Sequence, residues 1–289
     1  MTDFDRPPFS LSPSAPSSGG ELSAFEVAHL CRLVRERTGV ALESDKAYVV
    51  HCRLNILAMA KGLGTPRDIY RALSLNRDSV LVDDVVDTLL TKETSFFRNP
   101  PAFRVLNEVI LPALMKRSGP MRIWSAGCST GQEPYSVAMM AREAGVAPDP
   151  SALRIRATDF SASALEKARS GRYSQLEVSR GLPTAMAVRY MRQEGHEWRI
   201  DDSIAGQVDF SMHNLLDASG YRGIYDLILC RNVLIYFEPV QRDQIIGRLL
   251  KCLAAGGYLL LGASECSAQS VAGIVREQHG NSVFYRAEK

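Results

Sequence analysis

Between Met121 and Arg286, short β-branched and apolar runs alternate with stretches of helical period, and this alternation limits the possible folds most tightly. The runs are Met121–Ala126, Leu153–Thr158, Val208–Met212, Tyr225–Cys230, Tyr258–Gly262 and Ser282–Arg286. Helical patterns at Glu133–Glu143, Ala162–Arg169 and Gln241–Leu253 lie among them. A strand that follows a helical crossover enters the sheet parallel to its predecessor. The pattern therefore predicts an α/β fold, a doubly wound parallel sheet. Such sheets bind ligands beyond the carboxyl ends of their strands.

Segment 171–207 interrupts the rhythm. Val178–Tyr190 has a helical pattern, then Met191–Gln193 and Glu197–Ile200 flank the hairpin signal Glu194-Gly195-His196. A parallel crossover does not need a hairpin, so the segment is expected to be an inserted antiparallel β-subdomain.

The N-terminal part has another texture. Residues 1–20 are rich in Pro and Ser and bury too little apolar surface to offset ordering entropy; they predict a flexible tail. From 21 to 95 the pattern is helical, with about four helices and no strand signal. A length of 289 residues suits two domains, here a helical domain over 21–95 and the sheet domain over 96–289.

Charge and cysteine usage exclude several partners. With 34 basic and 32 acidic residues the chain has no general attraction for nucleic acid. The six cysteines are scattered without a CxxC pair, which argues against a structural metal site and a disulfide framework. No basic stretch followed by an apolar one marks a leader, and no apolar run approaches the ~20 residues of a membrane helix. The expected location is the cytoplasm, with no membrane insertion.

Five motifs carry chemistry. In Arg122-Ile-Trp-Ser-Ala-Gly127-Cys-Ser-Thr-Gly131-Gln-Glu133-Pro, a buried strand enters a glycine turn and then a helix. Glycine permits close backbone approach to a ligand, and a helix N-terminus offers unpaired N–H groups. The same stretch also fits G-x-S-x-G around Ser129, the signature of a serine hydrolase. That reading needs a late acid and histidine; His279 is the best-placed late histidine, while Asp226 sits at a strand start, the wrong end. In Ile155-Arg-Ala-Thr-Asp159-Phe-Ser161, an acid ends the second strand, where it can accept from ribose hydroxyls or serve only as a turn residue. Phe210-Ser-Met-His213-Asn214-Leu215-Leu216 offers Asn214 to an adenine edge, while His213 alone reads as a packing residue. In Tyr225–Glu238 an apolar strand ends at Arg231-Asn232, followed by Tyr236-Phe237; arginine there is costly unless paired. Finally, Thr91–Asn99 lies at the domain junction, with Phe96 and Phe97 as packing residues and Arg98 as a fork for a carboxylate.

Taken in order, TSFFR, GCSTGQEPYS, ATDFS, HNLL and CRNVLIYF resemble the CheR-type chemotaxis receptor methyltransferases, protein-glutamate O-methyltransferases. The resemblance covers about residues 21 to 289. It implies a small N-terminal helical domain joined to a class I S-adenosylmethionine-dependent methyltransferase domain with an antiparallel β-subdomain. It implies Thr94 and Arg98 at the cofactor's methionyl end, Glu133 and Asp159 as acidic cofactor ligands, and Asn214, Leu215, Arg231 and Asn232 as further lining residues. Arg98 and Tyr236 are the implied catalytic residues, beside the transferred methyl group. Lys92 departs from the family pattern, where many members carry Asn. The implied reaction esterifies glutamate side chains of a chemoreceptor's cytoplasmic helices, with S-adenosylhomocysteine as product, and requires no metal. The implied enzyme is a monomer. Its receptor partner would dock on a basic second helix with Lys46 and Arg53, a stretch that also reads as a solvated face. The remaining alternatives are another protein acceptor and a cofactor-occupied scaffold with little turnover.

Overall fold

The computed structural model describes residues 20–42, 47–75, 79–149, 151–265, 272–280 and 282–288. These residues form two compact units, one made of the chain up to Leu30 with 43–89, the other of 31–42 with 90–289.

The smaller unit is helical. Helix α1 (Ala24–Thr38) begins in it and continues into the larger unit. Its start is a reciprocal cap: Glu26 N–H donates to Ser23 Oγ, and Ser23 N–H donates to the Glu26 carboxylate. Helices α2 (Ala47–Ala60), α3 (Pro66–Leu75) and α4 (Ser79–Leu89) follow. Pro66 opens α3 at the one turn where its missing N–H costs nothing. Leu54, Ile69, Val85 and Val86 are buried in this unit.

The sequence division at 95 differs from this grouping. Residues 31–42 and 90–95 belong with the sheet. The reason lies in Val34 and Thr38, which are buried, and in Gly39, whose missing Cβ leaves room for Leu216 and Phe237.

In the larger unit, α5 (Pro100–Val105) and α6 (Leu111–Met115) are separated by a π turn at Leu106–Ile110. Pro112 cannot donate a backbone hydrogen bond, and the ladder loosens just before it. The main sheet has seven strands in the order β6-β2-β1-β7-β8-β10-β9. Its strands are β1 (Met121–Ala126), β2 (Leu153–Asp159), β6 (Val208–Met212), β7 (Tyr225–Cys230), β8 (Leu253–Leu261), β9 (Ile274–His279) and β10 (Ser282–Ala287). The first five in space pair parallel. The last two are antiparallel, so the sheet is mixed. β9 was not expected: its Arg276, Glu277 and Gln278 give no apolar run, and it is held by pairing with β10.

Successive residues of each strand face opposite layers. Ile123, Leu227, Leu260 and Phe284 enter one core; Trp124, Ile228, Leu259 and Tyr285 enter the other. Helices α7 (Gln132–Glu143) and α8 (Ala162–Ser170) cover the first core, and α12 (Pro239–Lys251) covers the second. Fully burying a side chain of this size contributes roughly 1.5–3 kcal/mol.

Segment 171–207 is antiparallel, as the hairpin signal implies, and has three strands in the order β3-β5-β4. These are β3 (Arg172–Ser174), β4 (Met191–Glu194) and β5 (Glu197–Ile200). The single helix expected at Val178–Tyr190 is two, α9 (Gln175–Ser179) and α10 (Thr184–Tyr190), broken at Gly181-Leu182-Pro183. Gly181 has φ +106°, and a Cβ there would lie 2.1 Å from the Phe96 carbonyl oxygen. The turn α11 (Asp202–Ala205) leads back to the sheet.

Candidate functional site

The first wall of the site is the turn between β1 and α7. Gly127 and Cys128 both donate their N–H groups to the Thr158 carbonyl, tying the turn to the end of β2. Ser129 has φ +51°, uncommon for a residue with a Cβ. Asp159 offsets that strain: its Oδ2 accepts Ser129 N–H at 2.7 Å and its Oδ1 accepts Ser161 N–H at 2.9 Å. Ser161 then caps α8 by accepting Ala164 N–H. One acid thus joins the glycine turn to the following cap. Burial pushes the Cys128 thiol well above its usual range, so it is a packing group and not a nucleophile.

The second wall follows β7. Arg231 is almost fully buried and its Nη1 donates to Glu133 Oε2 at 3.0 Å, so the pairing anticipated from its cost is present. Its Nη2 donates to the Arg98 carbonyl at 2.7 Å. The other Glu133 oxygen accepts from Ser125 Oγ. Arg98 donates from Nη1 to the Glu93 carbonyl, between two strained neighbours, Phe97 at φ +48° and Asn99 at φ +65°. Phe96 is fully buried against Tyr173, in the core of the larger unit. Asn232, at +59°, is the fourth non-glycine residue with positive φ among the described residues. All four lie in segments around one cleft, as strained residues at functional sites commonly do.

The third wall is the loop after β6. Asn214 lines the cleft, but its amide is turned to the backbone: Nδ2 donates to the Arg37 carbonyl, and Oδ1 accepts Leu216 N–H. These two bonds use half of the amide's capacity and leave it one N–H and one acceptor site. His213 is buried against Trp124 and Tyr221, which supports the packing role read for it. Ala41 N–H donates to the Tyr236 carbonyl, so residues 37–41 fasten two lining loops.

The cleft holds about 940 Å³ of empty space, its open mouth included. Thr94, Arg98, Glu133, Asp159, Asn214, Leu215, Arg231, Asn232 and Tyr236 all line it. The sequence reading missed Thr38 and Val40, assigned there to a separate helical domain, and Glu265, which lies behind the second wall. Residues 37–41 are tied to the site by the contact of Gly39 with Leu216 and Phe237 and by the bonds of the Arg37 carbonyl and Ala41 N–H, and spacing along the chain carries no trace of these. In the smaller unit, Arg53 is half-buried and donates to the Leu89 carbonyl, and Lys61 pairs with Asp84, so neither forms a simple solvated basic face. Lys46 lies outside the described residues.

The hydrolase alternative fails on geometry. Ser129 Oγ donates to the Lys92 carbonyl. His279 sits on β9, four strands from β1, and Asp226 is tied to Arg117 and to Arg122 N–H at the opposite end of the sheet. The donor set fits S-adenosylmethionine instead. A carboxylate stands at the end of β2, apolar Leu215, Val233 and Phe237 offer a base platform, and polar groups surround Arg98 and Glu133. Among the described residues no cluster of three or more metal-ligating side chains occurs, and no helix is long and apolar enough to cross a membrane.

Comparison with known proteins agrees with this cleft. Residues 92–277 match the family described as CheR methyltransferase, SAM binding domain. Chemotaxis protein methyltransferase 1 of Pseudomonas aeruginosa is 37% identical over 266 residues, covering 90% of this chain and 97% of that protein. The chemotaxis protein methyltransferase of Vibrio parahaemolyticus is 37% identical over 250 residues, covering 84% and 90%. The Escherichia coli protein of the same description is 35% identical over 250 residues, covering 84% and 85%.

Proposed function

Because the chain belongs to the CheR methyltransferase family and has S-adenosylmethionine as its cofactor, we propose that it methylates glutamate side chains on a chemoreceptor's cytoplasmic helices. The observation that carries the reading is the convergence on one cleft of nine residues drawn from five separate motifs.

S-adenosylmethionine, when bound, supplies a methyl group on a positively charged sulfur and leaves as S-adenosylhomocysteine. Asp159 would accept from the ribose hydroxyls; a carboxylate accepts up to about four hydrogen bonds, and two here order the turn. Leu215 and Val233 would flank the adenine, with backbone groups of the 213–216 loop reading its edge. Arg98 and Thr94 would hold the methionyl end, and the Glu133–Arg231 pair would fix that wall.

A glutamate carboxylate has a reference pKa of about 4.3, so the acceptor is ionised near neutral pH and needs no general base. The protein's work is orientation and removal of water from the acceptor. Tyr236 and Arg98 line the cleft, in reach of that task. Receptor docking on the basic second helix would use Lys46 and Arg53, the latter half-buried with one bond to the Leu89 carbonyl. Lys46→Glu should raise KM for receptor and leave cofactor affinity unchanged.

The test is methyl transfer from labelled S-adenosylmethionine to a chemoreceptor cytoplasmic fragment, followed by alkali. Release of the label as volatile methanol, lost in Asp159→Ala, is the expected result. Label stable to alkali, or no label with cofactor still bound, contradicts carboxyl methylation of that acceptor.

A further inference from the structure

One buried carboxylate is not used by the chemistry above. Glu265 is 1% exposed, just beyond β8. Its Oε2 accepts N–H bonds from Asn232 and Gly262, each at 2.7 Å. Its Oε1 accepts from Val233 at 2.7 Å and Ile235 at 3.2 Å. Four N–H donors face the group, and no arginine or lysine is paired with it among the described ion pairs. Ionised carboxylates are rarely buried without such compensation. Here the compensation comes from backbone amides, three of which belong to the loop that carries Asn232 and Tyr236 into the cleft.

A second observation shows that room was made for this contact. Gly262 does not have positive φ, yet a Cβ there would lie 2.2 Å from Glu265 Oε2 and 3.0 Å from Asn232 N. Glycine at 262 is needed for the carboxylate to reach the loop. The loop also needs a fastening of this kind, because Asn232 is held at φ +59° and the chain then tightens into a 3-10 turn at Leu234–Tyr236.

We propose that Glu265 is a positioning residue for methyl transfer: its carboxylate fixes the 232–235 backbone so that Asn232 and Tyr236 stay aimed into the cofactor cleft. The inference rests on the functional reading above. Glutamine has nearly the same shape but replaces one oxygen by an NH₂ donor, so two of the four N–H groups lose their acceptor. A displacement of about 1 Å in a positioned group can cost about a hundredfold in rate.

The test uses the full chain with Glu265→Gln, Glu265→Ala and Gly262→Ala. Measured are kcat and KM with a chemoreceptor fragment, S-adenosylhomocysteine affinity, the melting temperature, and amide exchange at 232, 233 and 235. For Glu265→Gln, kcat should fall by about a hundredfold, KM for receptor should hold, and the three amides should exchange faster with the fold intact. Formate should restore part of the activity of Glu265→Ala, and chloride at equal ionic strength should not. Gly262→Ala keeps the charge but displaces it, and should reproduce the loss in kcat. Wild-type kcat in Glu265→Gln overturns the proposal, as does a formate-insensitive loss in which melting temperature falls and kcat, KM and cofactor affinity worsen together. If neither glutamate variant folds, wild-type kcat in Gly262→Ala overturns it. If the wild-type chain itself transfers no methyl group, the functional reading fails; unchanged exchange at 232, 233 and 235 in Glu265→Gln then separately overturns the role of Glu265.

Discussion

On one side of the cleft Asp159 accepts the N–H groups of Ser129 and Ser161; on the other Glu265 accepts those of Asn232, Val233, Ile235 and Gly262. In each case a carboxylate holds a non-glycine residue at positive φ, Ser129 at +51° and Asn232 at +59°. Such a conformation costs on the order of 1–3 kcal/mol, and a hydrogen bond to a charged group contributes roughly 1.5–3 kcal/mol. The two sides differ in exposure. Asp159 is half-buried and lines the cleft, so one side chain can order its turn and meet a ligand. Glu265 is sealed away, and its whole hydrogen-bonding capacity goes into shape. Strain in a binding loop can therefore be borne by the residue that binds or delegated to one that never touches the ligand.

The largest expected effect lies where the two sides are bridged. Arg231→Ala leaves Glu133 buried with its charge uncompensated, and removing one partner of such a pair costs about 3–5 kcal/mol. Urea unfolding should show this loss, and the double change with Glu133→Gln should recover part of it. A loss below about 1 kcal/mol would place the pair among surface ion pairs and remove the bridge from the comparison. Next, Asp159→Ala should weaken S-adenosylhomocysteine binding by about ten- to a hundredfold, the worth of about one charge-assisted hydrogen bond; calorimetric titration measures it. Unchanged affinity would reduce Asp159 to the same purely shaping role as Glu265.

Gly127→Ala sharpens the comparison because it strains both sides. A Cβ at φ +80° would lie 2.4 Å from Val233 Cγ2, which belongs to the opposite loop. A destabilisation of about 1–3 kcal/mol is expected in thermal unfolding. Val233→Ala in the same chain should relieve the contact but not the backbone strain.

The smallest effect is a pH dependence in the third wall. Burial lowers the pKa of His213 below its usual 6.5. The unfolded chain therefore binds the proton more readily than the native one. Stability from this group is complete above about pH 6.5 and declines as the pH falls from there through the native pKa. The wild-type melting temperature should fall more steeply between pH 7 and pH 5 than that of His213→Gln. Equal slopes would show that the ring gains a proton in place.

The two sides were also unequally legible in the sequence. Asp159 ends a recognisable strand and precedes a serine cap, so its placement could be read from neighbours within a few residues. Glu265 acts on residues about thirty positions earlier, through backbone groups whose identity no side-chain pattern records. The same distinction explains the fold. Most strands with apolar runs were located closely, because each pair of successive residues feeds two cores, but β8 begins at Leu253, five residues before the expected Tyr258. β3 and β9 are short or polar and exist through their partners, β5 and β10. Residues 37–41 looked like the end of a helix in another domain, and only long-range contacts, Gly39 against Leu216 and Phe237 and the backbone bonds to Asn214 and Tyr236, show their place beside the cleft.

The most direct test of the central claim is amide hydrogen exchange on the full chain with and without saturating S-adenosylhomocysteine. The account predicts protection at 127–131, 159–161, 213–216 and 231–236, the loops that wall the cleft, with none at the 194–197 hairpin. Protection confined to other segments, or none in the two carboxylate-pinned loops, would contradict it.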